Sequence, residues 1–132
     1  MNLKCNFTND NSGNFPGDVI RLVRYLKLTP GYDEIYALAK KEMAPVLLHA
    51  AAFDNLISRV ALVKPYSSYR SVVMNRFYNY DFVNSFVARS LLAYDLPDLA
   101  ALLAPRKLFI SGITDGAGRI AAFESISEDV DL

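Results

Sequence analysis

The chain has 132 residues, of which 52% are hydrophobic and 21% charged, with 14 acidic residues balanced by 14 lysines and arginines. That length and composition suit one folded domain with a real core and exclude a disordered chain. The even charge balance argues against a nucleic-acid surface, which needs clustered basic residues, and no apolar run is long enough for a membrane span.

Residues 1–15 are rich in Asn, Ser and Gly and read as a loosely attached tail preceding a domain over 16–132. Cys5 is the only cysteine, so neither a disulfide framework nor a thiolate zinc site is expected. The opening stretch lacks an apolar core of signal-peptide length, so the sequon Asn6-Phe7-Thr8 reads as chance. Nothing here assigns a cellular compartment.

Pro16-Gly17-Asp18 opens a helix. Val19, Leu22, Val23 and Leu26 fall at helical spacing, Arg21, Arg24 and Lys27 lie toward the other face, and Thr29-Pro30-Gly31 stops it. Glu34–Ala39 reads as a short buried strand. Glu42 to about Phe53 reads as an apolar, alanine-rich helix with Pro45 in its first turn, where a missing N–H costs little. Ile57–Val63 is the next strand, closed by Lys64-Pro65. This is the spacing of a right-handed βαβ unit. An aromatic-rich excursion follows, with 81–93 expected to be helical because Phe82, Phe86 and Arg89 recur at spacings of three to four. Asp98–Leu103 reads as a short helix, Lys107–Ile113 as a third strand and Ile120–Ser127 as a final helix.

Apolar strands separated by helices predict an α/β fold: a partial doubly wound parallel sheet of about three strands, with helices on both faces. Such a sheet is small for this architecture and reads as part of a larger fold.

Five segments carry a resemblance. They are Val23-Arg24-Tyr25-Leu26, Ile35–Ala39, Leu48-His49-Ala50-Ala51-Ala52, Asp95-Leu96-Pro97-Asp98-Leu99 and Ala104-Pro105-Arg106-Lys107-Leu108. In this order the chain resembles the carboxy-terminal half of an α/β-hydrolase, closest to the acetyl xylan esterase and dienelactone-hydrolase-like branch, over roughly residues 18–118. The resemblance implies a serine, an acid and a histidine in that chain order. The serine would sit on a strained strand-to-helix turn, G-x-S-x-G.

Residue by residue, the implied elbow falls on Ala39-Lys40-Lys41-Glu42-Met43. Lys41 occupies the nucleophile position, and no serine or cysteine occurs between Pro30 and Phe53. Asp115, after the third strand, takes the acid position, where the chemistry needs a carboxylate to orient and stabilise an imidazole. Thr114-Asp115-Gly116 is equally a turn sequence whose Asp bonds its own backbone, and that reading comes first. His49 is the only histidine. It precedes the acid and lies in an apolar helix, so it reads as a packed helix residue. A lone histidine makes no metal site, and no cofactor is expected.

Three further features have structural and functional readings. Ser111–Gly118 can be drawn as an anion-cradling loop, but its spacing fits neither the P-loop nor the dinucleotide fingerprint. Tyr66, Tyr69 and Tyr78 can stack on sugar rings or simply cover the sheet, and burial is favoured. Arg106 is expected to pair with Asp95 or Asp98 and so set the Asp98–Leu103 helix against the third strand.

The expectation is therefore a hydrolase-like half with esterase ancestry and no turnover of its own. The alternative is a non-catalytic module that binds carbohydrate or protein. Its partners would be a carbohydrate ester or a complementary hydrolase half, with self-association through an unpaired sheet edge as a hazard.

Overall fold

The computed structural model describes residues 15–122. Helix α1 (Phe15–Leu28) leads to strand β1 (Ile35–Lys40), helix α2 (Met43–Phe53) and strand β2 (Ile57–Val63). Helix α3 (Tyr69–Val73) and two 3-10 segments, Tyr80–Ser85 and Ser90–Leu92, precede helix α4 (Leu96–Leu102) and strand β3 (Lys107–Ser111). The strands form one parallel sheet in the order β1-β2-β3. The α/β class and the three-stranded parallel sheet expected from the sequence are both present.

Helix α2 is the hub. Residues Ala44 through Ala51 are all buried, because α2 lies on the sheet with α1 along one flank and α4 along the other. A helix apolar on every side needs such surroundings. Below it, the inward row of the sheet supplies Ile35 and Ala39 from β1 and Ile57, Val60 and Leu62 from β2. Helix α1 contributes Val23 to the core, and Val19 and Leu26 pack against it. Arg24 reaches Asp54, at the end of α2, at 3.0 Å.

The expected covering of both sheet faces is not found among the described residues. Exposure alternates along the strands: Tyr36, Leu38 and Lys40 of β1 are exposed while Ile35 and Ala39 are buried. Helix α2 is the element that packs on β1 and β2, and it covers the row of Ile35 and Ala39. The sequence reading took these apolar strands as covered above and below; one apolar row is in fact bare.

Other boundaries also differ. Strand β3 stops at Ser111 because Gly112 turns into positive φ (66°), so Ile113 lies beyond the ladder. The 81–93 stretch is not one α-helix. The Ser85 hydroxyl donates back to the Phe82 carbonyl at 2.8 Å, and Arg89, at φ 66°, separates the two short segments. Helix α4 begins at Leu96, with Asp95 as its cap and Pro97 in its first turn. Phe15, assigned to the tail, is the first residue of α1; the remainder of that tail lies outside the described residues. Ile120 pairs antiparallel with Thr114, which removes the start of the expected final helix; residues 123–127 of it also lie outside the described range.

Arg106 does not bind Asp95 or Asp98. Its guanidinium donates to the carbonyls of Ala51 (2.6 Å), Asp54 (3.2 Å) and Ile57 (3.2 Å). It thus takes up carbonyls that the end of α2 leaves without helical partners and joins them to the start of β2. Asp95 and Asp98 face each other in a capping box instead.

Candidate functional site

The carboxyl edge of a parallel sheet is where α/β folds place their chemistry, and all three strands end there in the same backbone state. Lys41, Lys64 and Gly112 follow β1, β2 and β3 and have φ of 52°, 53° and 66°. They stand in register: the Lys41 N–H donates to the Val63 carbonyl at 2.9 Å, and the Lys64 N–H to the Ser111 carbonyl at 2.7 Å. Positive φ is uncommon for a side chain as long as lysine, and the sheet ladder on one side must hold it. No residue pattern around Lys64 signals this. At Lys41 it follows from the strand meeting the helix within two residues.

Lys41, at the position expected from the resemblance to hold a nucleophile, therefore sits on a tight strand-to-helix turn with its side chain exposed. Among the described residues no base is hydrogen-bonded to its ammonium group. An exposed amine without a neighbouring base is a poor nucleophile for acyl transfer.

Asp115 is used locally. One carboxylate oxygen accepts the backbone N–H groups of Ala117 and Arg119, each at 2.9 Å, and the other meets Arg119 Nε at 3.2 Å. That pair is exposed and of small energetic value; the two backbone bonds are what shape the turn. Three further N–H groups of the loop are engaged. Thr114 N–H goes to the Pro65 carbonyl, Asp115 N–H to that of Arg119, and Gly118 N–H to that of Asp115. An anion cradle needs free N–H groups converging on one point, and those of Thr114, Asp115, Ala117, Gly118 and Arg119 are already taken.

His49 is buried at 2% exposure. Its Nδ1–H donates to the Pro45 carbonyl at 2.7 Å, since a carbonyl can only accept. Nε2 then accepts from the Tyr94 hydroxyl at 3.1 Å. With both nitrogens committed, His49 is bonded to neither Lys41 nor Asp115. Burial lowers its pKa, and the Pro45 bond only partly opposes that. No group of His, Cys, Asp and Glu suited to hold a metal occurs among the described residues.

A pH dependence follows from His49. The unfolded chain takes up a proton near the ordinary value of 6.5, and the folded chain only at lower pH. Folded-state stability is thus complete above about 6.5 and falls as pH drops below it. Urea midpoints at pH 7 and pH 5 should show this loss in the parent protein and a shallower slope in His49→Phe. Parallel profiles for the two proteins would remove His49 as the cause.

The aromatic cluster is packed inward. Tyr66 and Tyr69 are 1% and 2% exposed, and their hydroxyls reach Ser85 Oγ (2.8 Å) and the Ser85 carbonyl (3.1 Å). Phe82 lies 4.5 Å from Tyr66, ring to ring. Burial pushes both phenols well above their ordinary pKa. Neither ring can present a face to a sugar; Tyr78 is the one exposed member of the three singled out from the sequence.

Sequence reasoning missed an apolar cleft of about 310 Å³ between α2, α4 and the ends of β2 and β3. Ala44, Leu48, Leu62, Leu96, Ala100 and Ile110 are among its walls. Its one signal was the pairing of apolar residues four apart in both helices, which also describes ordinary core packing. No family model, curated protein or solved structure matches this chain.

Proposed function

We propose that the chain is a hydrolase-like α/β half, of acetyl xylan esterase-type ancestry, that carries no hydrolytic chemistry of its own. The observation that carries this reading is Lys41. It stands at φ 52° between β1 and α2, in the strained turn where the resemblance places a nucleophile, but it presents a solvated amine. The bonds of His49 and Asp115 support the same reading, since both groups serve the structure around them.

Purified protein is expected to hydrolyse p-nitrophenyl acetate no faster than buffer. Turnover that Asp115→Asn abolishes, in a variant with parent-like circular dichroism, would overturn the proposal. The second reading is a non-catalytic binding module. Burial of Tyr66 and Tyr69 favours a protein over a carbohydrate ligand, and acetylated xylan oligomers should leave the tyrosine fluorescence unchanged.

A further inference from the structure

The bare face of the sheet is ordered by charge as well as by polarity. Across the ladder, Tyr36 aligns with Arg59 and Lys107, then Leu38 with Ala61 and Phe109, then Lys40 with Val63 and Ser111. Leu38 is 70% exposed and Phe109 63%. An apolar middle row is therefore bounded by Arg59 and Lys107 at one end and by Lys40 at the other. The three strands contain no acidic residue. Glu34, just before β1, accepts the Tyr36 hydroxyl, and the Arg59 guanidinium lies 4.8 Å above the Tyr36 ring. Parallel sheets are ordinarily covered on both faces, because their backbone and apolar rows need shielding from water.

We propose that this face is the docking surface for an amphipathic helix of another polypeptide, with an apolar stripe and acidic residues on its flanks. The dimensions suit one element. The row from Leu38 to Phe109 crosses three strands, about 10 Å, which an α-helix lying along it covers in roughly seven residues. The stripe covers Leu38, Ala61 and Phe109, and the flanking carboxylates meet Lys40, Arg59 and Lys107. Three cations against Glu34 alone give this face a net positive charge, which selects an acidic partner over a basic one. The proposal deepens the protein-binding reading and does not depend on the hydrolase ancestry, so esterase turnover would leave it standing.

The test uses the full chain and two synthetic helical peptides of about twelve residues, with the same leucine stripe. One carries glutamates beside the stripe and the other lysines. In nitrogen-15 NMR titrations the glutamate peptide should move the amide signals of Leu38, Ala61 and Phe109 and bind at least tenfold tighter than the lysine peptide. Leu38→Asp, at an exposed site, should abolish binding with the spectrum otherwise intact. Arg59→Glu with Lys107→Glu should reverse the preference. Five results would overturn the proposal. These are equal binding of the two peptides, no binding of either at millimolar concentration, and signal changes confined to the cleft beside α4 or to the edge of β1. The fourth is light scattering that detects a dimer removed by Leu38→Asp, which would give the face to a second copy. Binding only to phosphatidylserine vesicles would likewise assign it to a membrane surface.

Discussion

Gly116→Ala is expected to cost about 2–4 kcal/mol and to lower the thermal midpoint by roughly 10 °C. A Cβ built on Gly116 would stand 2.1 Å from the Ser71 carbonyl oxygen, 2.6 Å from its carbon and 2.7 Å from the Val72 Cα. All three are backbone atoms of α3, so no side chain can swing aside. The Gly116 carbonyl also accepts the Asn79 N–H at 2.9 Å, which ties the loop to the chain entering the first 3-10 segment. Relief would have to come from moving α3 or the loop, and both are fixed. Tyr69 and Val72 of α3 are in the core, and the loop is held by Thr114, whose N–H donates to the Pro65 carbonyl at 2.8 Å. Gly31 is the control. It has φ 99° but nothing near its would-be Cβ, so Gly31→Ala should cost only backbone strain, about 1 kcal/mol. Urea denaturation followed by circular dichroism measures both. Equal losses for the two variants would show that close packing at Gly116 is not what matters.

That contact explains what could and could not be read in the sequence. Helices α1 and α2 and strands β1 and β2 follow from apolar spacing and from local stop signals such as Pro30-Gly31 and Lys64-Pro65, all within a short window. The 81–93 stretch does not form the single helix its spacing suggests, because its order depends on long-range bonds. Ser85 takes the Tyr66 and Tyr69 hydroxyls from residues 19 and 16 positions earlier, and a helical period at Phe82 and Phe86 carries no trace of that. Arg106 failed for the same reason: nearby carboxylates are visible in the sequence, whereas the carbonyls of Ala51, Asp54 and Ile57 appear only once the chain has folded. The site candidates divide in the same way. The lack of a serine between Pro30 and Phe53 and the solitary His49 were plain from residue types. The positive φ of Lys41, the backbone bonds of the Asp115 carboxylate and the cleft are properties of backbone placement. The bare sheet face lay between these cases. Alternation was present in Tyr36-Ala37-Leu38-Ala39-Lys40, but the apolar outward residues hid it.

Asp95→Ala should be the most damaging single substitution of a polar residue, at about 3 kcal/mol or more. Asp95 Oδ1 accepts the Leu96 N–H at 2.6 Å and the Tyr69 N–H at 2.7 Å, and Oδ2 accepts the Arg70 N–H at 3.1 Å. One carboxylate thus caps the first turns of α3 and α4, which lie more than two dozen residues apart in sequence. Removing an ordinary cap costs about 0.5–2 kcal/mol, and a hydrogen bond to a charged group contributes about 1.5–3 kcal/mol, so losing a shared cap exceeds either alone. Against a total of roughly 5–15 kcal/mol for a small domain, that is a large fraction. Asp98 is the internal comparison. Its carboxylate returns one bond to the Asp95 N–H at 2.8 Å, so Asp98→Ala should cost about 1 kcal/mol. Asp95→Asn keeps an acceptor at one oxygen but turns an NH2 toward a backbone donor, and should recover roughly half of the loss. Amide hydrogen exchange adds a local reading: Tyr69, Arg70 and Leu96 should lose protection in Asp95→Ala beyond the change in global stability. If those amides exchange only as fast as global unfolding allows, and the loss stays below about 1 kcal/mol, the shared cap is not holding the two helices together. If they exchange faster, the excursion from Tyr69 to Leu96 is held at both ends by one carboxylate, and its place on α2 depends on a residue that belongs to neither helix's apolar face.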